Sequence, residues 1–357
     1  MKYSVIPGCE LTPDLVARWS DIQRADQALA SPYFRPEFTQ TVAAVRDDVL
    51  VGLMQAGGEV VGFFPFQRGR GGSSRPVGLA LSDYHGVIAA PDAQWTATAL
   101  LRGCGLTRWE FDHLPAWQRQ FAGWHDAVSD SPIIEVEQGM DAFESSRDKS
   151  GRKQLREAKR KKEKLAEQIG PLTFTLHTTN RDLLRQMMTW KSEQCRRTGT
   201  VDFFALDWCR QLIERIHSVR TPEFGGLLAC LHAGDTLAAL HFAMYSRRVW
   251  HSWFPAYNHE LEEYSPGFIL LLEMIQAASN QKIQYIDLGK GISLYKKRVM
   301  TGGIPVAEGC LAIPSFGNRL RVWRQKAEEW GKQSYFKPLL RLPGRLIKNR
   351  ERRKKYE

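Results

Sequence analysis

"FGGLLACLHAGDTLAALHFAMYSRRVWHSWFPAYN", residues 224 to 258, holds three runs of apolar and aromatic residues parted by Ala233-Gly234-Asp235 and Ser246-Arg247-Arg248. The runs alternate, and both interruptions favour turns, so the stretch predicts three successive antiparallel strands. Shortly after comes "EYSPGFILLLEMI", residues 263 to 275. Ser265 is a good N-cap, Pro266 suits the first helical turn because its missing N–H would be unpaired there, and Gly267 removes a side chain from the helix start. Two readings are open: a plain capped core helix, or a bare helix end whose amides and dipole accept phosphate.

Working outward, "LTFTLHT" (172–178) reads as a strand, and residues 181–218 as two helices interrupted at "RRTGTVDFF". Beyond the Ser-Pro-Gly helix lie a short strand "IQYIDLG" (283–289), a short helix "SLYKKRVM" (293–300) and a last strand "AEGCLAI" (307–313). In the first half, "VLVGLMQAGGEVVGFFPFQ" (49–67) predicts two strands joined at Ala56-Gly57-Gly58. "RGRGGSSRP" (68–76) is an ordinary flexible turn, without the G-K-S/T ending of a P-loop, and leads to a strand near "VGLAL" (77–81). "LTRWEFDHLP" (106–115) adds another strand, and "SPIIEVEQ" (131–138) passes into the second half. These readings give domains 1–138 and 139–315, followed by a tail, 316–357.

A chain of 357 residues favours two domains. At 43% hydrophobic and 25% charged it has the composition of a soluble globular protein. No apolar run reaches membrane-span length and the N-terminus lacks a signal-peptide core, so a cytoplasmic location is expected. Cys9, Cys104, Cys195, Cys209, Cys230 and Cys310 lie far apart with no C-x-x-C pair; neither a disulfide framework nor a metal is expected. The net charge of +11 is concentrated: residues 145–170 carry +6 and residues 316–357 carry +10, leaving a mildly acidic remainder. The first segment contains a basic helix over 147–169, read either as a solvated helix or as a contact for RNA or phosphate. The tail carries an apolar stripe (Leu320, Trp323, Ala327, Trp330) and many cations, which suit docking on the fold or an anionic membrane surface at the inner face.

Helix, helix, three antiparallel strands, capped helix, strand, helix, strand is the order of the GNAT fold, and the series "HFAMYS", "HSWFPAYN", "EYSPGFILL", "YIDLGKG" and "LYKKRVMTG" resembles the CelD-like GNAT acyltransferases, found beside bacterial polysaccharide genes and related to Fem-type peptidyltransferases. "LSDYHGVI" and "WEFDHLP" look like that family's N-terminal half, a degenerate GNAT-like unit. The resemblance implies an α+β chain of tandem GNAT-like domains with mixed, mostly antiparallel sheets. It implies transfer of an acyl group, acetyl above all, from acyl-CoA to an amine of a sugar or small metabolite, in polysaccharide or envelope synthesis. "EEYSPG" stands where the usual Arg/Gln-x-x-Gly-x-Gly/Ala loop would be, so Tyr264, Ser265, Pro266, Gly267 and Phe268 are the expected coenzyme A contacts. Fem-type relatives take their donor from aminoacyl-tRNA, which leaves that donor open, and a non-enzymatic basic adaptor is a third reading.

Acyl transfer to an amine needs proton removal, carbonyl polarisation and alignment. His241, on a central strand, is the candidate base, with a rate expected to rise through the histidine range; His251 is a weaker candidate. Asp287 ends an apolar strand and needs a partner, which Lys296 could supply, unless Lys296 binds substrate. Tyr257 could protonate the departing thiolate, as tyrosine does in GNAT enzymes. Trp253 and Tyr295 are expected to line the substrate site, with Asp83, Tyr84, His85 and His113 joining from strand ends of the first half.

Overall fold

A computed structural model describes residues 1–313 except Ile292. The basic tail, 316–357, expected to dock on the fold or to meet an anionic membrane surface, lies outside the described residues.

In chain order the first elements are β1 (Lys2–Pro7), α1 (Pro13–Ala25), α2 (Pro36–Ala43), β2 (Val49–Ala56), β3 (Glu59–Arg68), β4 (Ser73–Arg75), β5 (Ile88–Ala89), α3 (Ala97–Gly103), β6 (Arg108–Pro115), β7 (His125–Glu135), α4 (Met140–Ser145) and α5 (Lys149–Gln168). There follow β8 (Leu172–Thr175), α6 (Arg181–Thr198), α7 (Asp207–Ser218), β9 (Phe224–Ala233), β10 (Thr236–Ser246), β11 (Val249–Tyr257), α8 (Pro266–Asn280), β12 (Tyr285–Asp287), α9 (Leu294–Val299) and β13 (Gly302–Ala312).

The described residues divide into two compact units: residues 1–22, 42–128 and 307–313, and residues 23–41 and 129–306. The division thus differs from the expected boundary at 138/139. It falls ten residues earlier, inside β7, and each unit takes a segment from the other end of the chain. Sequence patterning did not show this, because the first half of β7, His125–Asp130, is largely polar and exposed and carries no strand alternation of its own.

In the first unit β1, β2, β3, β4 and β6 are neighbours in that order, with β5 beside β3. The Ala56-Gly57-Gly58 hairpin forms as expected, with Ala56 paired to Glu59. Its core gathers Phe64, Phe66, Leu100, Leu101, Trp109, Phe111 and Phe121. The strand expected near 77–81 is instead a 3-10 turn over Leu79–Leu81. Gly78 has φ 82°, a left-handed conformation that breaks the extended run, and its N–H donates to Gln67 Oε1 at 2.7 Å.

The second unit holds the strand order β7, β12, β11, β10, β9, β8. The three strands read from 224–258 are antiparallel neighbours, β9 to β10 to β11, and β11 then pairs in parallel with β12. Helix α8 buries Ile269, Leu270, Leu271, Met274 and Ile275, each contributing about 1.5–3 kcal/mol of apolar burial. They join a core formed with Leu227, Ala229, Leu231, Ala239 and Ala243 of β9 and β10. Alanines at the strand positions let so bulky a helix lie close.

The basic helix forms as α5, with the Asp148 carboxylate accepting Gly151 N–H at 2.6 Å to cap it. It buries Leu155, Ala158 and Leu165. Part of its charge faces α8 and the turn before it: Lys162 pairs with Glu273 at 2.5 Å, Lys164 with Glu263 at 2.7 Å, and Lys161 Nζ donates to Ser265 Oγ at 2.9 Å. Among the described residues no helix is long and apolar enough to cross a membrane.

Candidate active site

β11 and β12 pair only through Val249–Tyr285, Trp250–Ile286 and His251–Asp287. Beyond that last pair β12 has ended, while β11 runs on beside β10 to Tyr257. The register of β10 and β11 shifts so that Phe242 faces Phe254 and Ala243 faces Ser252, leaving Trp253 as a one-residue bulge. A gap therefore opens at one side of β11, its start marked by His251 and Asp287.

Ser265 introduces α8 with φ 55° and ψ 50°, and its side chain makes no capping bond to the helix. That hydroxyl instead accepts from Lys161. Pro266 has no N–H, and those of Phe268 and Ile269 bond Ser265 O at 2.9 and 3.2 Å, so the start of α8 offers a ligand the Gly267 N–H and the positive end of the helix dipole, with a cation beside them. A Cβ added at Gly267 would meet the Tyr257 ring at 3.4 Å, an ordinary contact. Packing does not demand glycine there; what the glycine leaves out is a side chain in front of the amides. Phe268 N–H donates to Ser265 O at 2.9 Å, and its ring meets Tyr295 edge-on at 6.2 Å. Tyr264 is tied to α5 rather than exposed for a ligand: its hydroxyl donates to Gln168 at 2.7 Å and Lys164 lies 5.0 Å over its ring.

His241 is buried, and its Nε2 lies 2.8 Å from Ser252 Oγ. Burial, then the charge of Lys191 and the His251 ring, push its pKa down to about 3. The rate expected to rise through the histidine range therefore does not follow from this group, which is already neutral there. Lys191 on α6 was not anticipated. Burial lowers its pKa, and its Nζ donates to Gln194 at 2.9 Å and to the Pro255 carbonyl at 3.1 Å. A signal was present: Lys191 stands four residues from Met187 and from Cys195, on the buried stripe of its helix. Gln194, Ala256, Tyr257 and Asn258 line a cavity between α6 and the end of β11.

Asp287 is buried at the end of β12. Its Oδ1 accepts from Ser131 Oγ at 2.9 Å and from Gly289 N–H at 2.7 Å, and lies 3.5 Å from His251 Nδ1. Lys296 Nζ donates to the carbonyls of Gly289 (2.7 Å) and Lys290 (3.2 Å). Both charged residues thus grip Gly289, one through its N–H and the other through its C=O. Asp287→Asn, which keeps one acceptor oxygen but not the charge, is expected to cost about 1–3 kcal/mol in a thermal melt. An unchanged melting temperature would refute the clamp.

Trp253 is stacked on Phe254 at 4.8 Å and meets Tyr33 edge-on at 5.9 Å. Asp83, Tyr84, His85 and His113 belong to the first unit, with Tyr84 buried. His113 lies 3.1 Å from carboxylate oxygens of both Asp83 and Asp112. Burial alone would lower the pKa of His113, but the two carboxylates outweigh it and raise it to about 9.

Residues 152–297 match the family model described as an acetyltransferase (GNAT) domain. No curated protein sequence matches the chain. Among solved structures the chain is similar to FemX, at 10% identity and a TM-score of 0.60, covering 90% of this chain and 99% of that one. It is also similar to the C-terminal DUF2156 domain of a candidate lysylphosphatidylglycerol synthetase from Agrobacterium fabrum, at 13% identity and a TM-score of 0.52, covering 87% and 96%. At such identities the likeness is one of fold. Matched residues, strand order and structural neighbours agree that the segment from 152 to 297 carries an acetyltransferase domain of the GNAT superfamily.

Proposed function

We propose that this protein transfers an acyl group from acyl-CoA to an amine on a sugar or small metabolite, in polysaccharide or envelope synthesis. The observation that carries this reading is the start of α8: uncapped by Ser265, fronted by Gly267 and attended by Lys161, beside the gap along β11. Such an end suits the pyrophosphate of coenzyme A. The amine nitrogen would form the new bond to the acyl carbon as the C–S bond breaks; Tyr257, beside Gly267, would give its proton to the leaving thiolate, and the proton shed by the amine nitrogen would return to the Tyr257 oxygen. His241, neutral and bonded to Ser252, would accept a hydrogen bond from the amine or an intervening water and align it. Asp287 and Lys296 would hold the Gly289-Lys290 turn at the mouth of the gap.

A second reading, transfer from aminoacyl-tRNA as in the Fem-type enzymes, is favoured by one observation. Helix α5 keeps Lys153, Arg156 and Arg160 exposed in addition to the lysines that face α8. The two donors separate in solution. Calorimetry with coenzyme A should give a saturable 1:1 isotherm, whereas binding of bulk tRNA should be weak and no tighter than that of random RNA. Tight tRNA binding that falls steeply with salt, with no heat from coenzyme A, would replace the first reading by the second.

A further inference from the structure

Two short motifs in the first unit have no task in the acyl transfer proposed above: "LSDYHGVI" at 81–88 and "WEFDHLP" at 109–115. The fold brings them together. His85 Nε2 lies 3.6 Å from Asp112 Oδ1, and His113 Nδ1 lies 3.1 Å from the same oxygen. One donor atom from each of the three residues falls within 4.8 Å of the others. Donors bound at about 2.0–2.2 Å to a common ion stand roughly 3.0–3.5 Å apart, so both imidazoles are already near that spacing from Asp112, and the two rings would have to close on one another by roughly 1–1.5 Å. His113 is buried, with its Nδ1 turned toward the Asp112 carboxylate. Its other nitrogen, Nε2, lies 3.1 Å from Asp83 Oδ1. A carboxylate on the far side of an imidazole fixes the ring and leaves the near nitrogen's lone pair for a metal.

We propose that His85, Asp112 and His113 bind a divalent transition-metal ion of the zinc class, with Asp83 as the outer carboxylate that orients His113. Two imidazoles and one carboxylate suit zinc, iron, nickel or copper, whereas magnesium and calcium prefer oxygen throughout. Asp112 is partly exposed and gives the ion its way in. The backbone amides of Asp112 and His113 donate to His85 Nε2 at 3.1 and 2.9 Å. They place the lone pair of His85 on the nitrogen nearest the other ligands, and they also compete with the ion for it. Affinity is therefore expected in the micromolar range rather than below it. No cysteine is involved, which is why thiol spacing gave no hint of a metal.

The test is titration of the EDTA-treated full chain with Zn²⁺ by calorimetry and with Co²⁺ by visible absorption. Because Cys9 is exposed and Cys310 partly so, both are replaced by serine in the background. One equivalent of metal should bind and raise the melting temperature. Asp83→Asn should weaken binding about 10- to 100-fold with little change in the Co²⁺ spectrum, and His113→Gln should remove at least as much while altering that spectrum. If His113→Gln does not fold, Asp112→Asn at the partly exposed ligand gives the same reading. No binding by the folded parent, or binding unaltered by these substitutions, would show the cluster to be an ion-pair network alone.

Discussion

Gly267→Glu is expected to bind coenzyme A at least about tenfold more weakly than the parent while melting no lower. The two effects come from the same charge. Position 267 is in the first turn of α8, where a carboxylate meets the positive end of the helix dipole and stabilises the helix by about 0.3–1 kcal/mol. The backbone there is helical and an added Cβ finds only an ordinary contact with Tyr257, so no strain offsets this gain. A phosphate arriving at the same helix end would then face a negative charge already seated. Calorimetry and a melting curve on one preparation suffice. An unaltered affinity in a folded variant would remove the start of α8 from the donor site.

His241→Gln is expected to lower turnover by about 10²-fold with little change in coenzyme A affinity, because the imidazole is assigned to the amine and not to the donor. Its pH behaviour has a definite sign. The folded pKa of about 3 lies below the ordinary 6.5, so the folded state resists protonation that the unfolded chain accepts. The associated stability is present above pH 6.5 and is lost as pH falls from there toward 3. His177, held at about 4 chiefly by burial, adds to the same acid limb. Glutamine does not titrate, so the variant should lose less melting temperature between pH 7 and 4 than the parent does. The parent's turnover should show no inflexion near 6.5 that disappears in the variant. Such an inflexion would restore His241 as a base titrating in the histidine range.

The second unit was legible where local chemistry and tertiary packing agree. Turn residues at 233–235 and 246–248 fixed the strand register, and Ser265-Pro266-Gly267 fixed the start of α8. Legibility failed where a residue's role depends on what crosses from elsewhere. Asp287 called for a partner, and the structure supplies Ser131 from 156 positions away, together with the amide of Gly289. Lys191 is an ordinary helical lysine until the Pro255 carbonyl is placed against it. In the first unit, Val77, Leu79 and Leu81 alternate as a strand does and are all buried, yet the backbone of Gly78 turns them into a 3-10 helix. Period-two burial is a property of side chains; it does not by itself set φ.

The contact between Lys161 and Ser265 also bears on where the acetyltransferase domain begins. Its strands and the helices between them could be cut out from β8 onward, and the result would contain every segment of the GNAT order. Such a fragment would nonetheless lack the ammonium at the mouth of α8, together with the hydroxyl contact of Tyr264 and the two lysines that pair with Glu263 and Glu273. Helix α5 is therefore an integral wall of the domain rather than a linker ahead of it, and an excised module has to keep it together with β7, whose Ser131 donates to Asp287 and whose backbone pairs with β12.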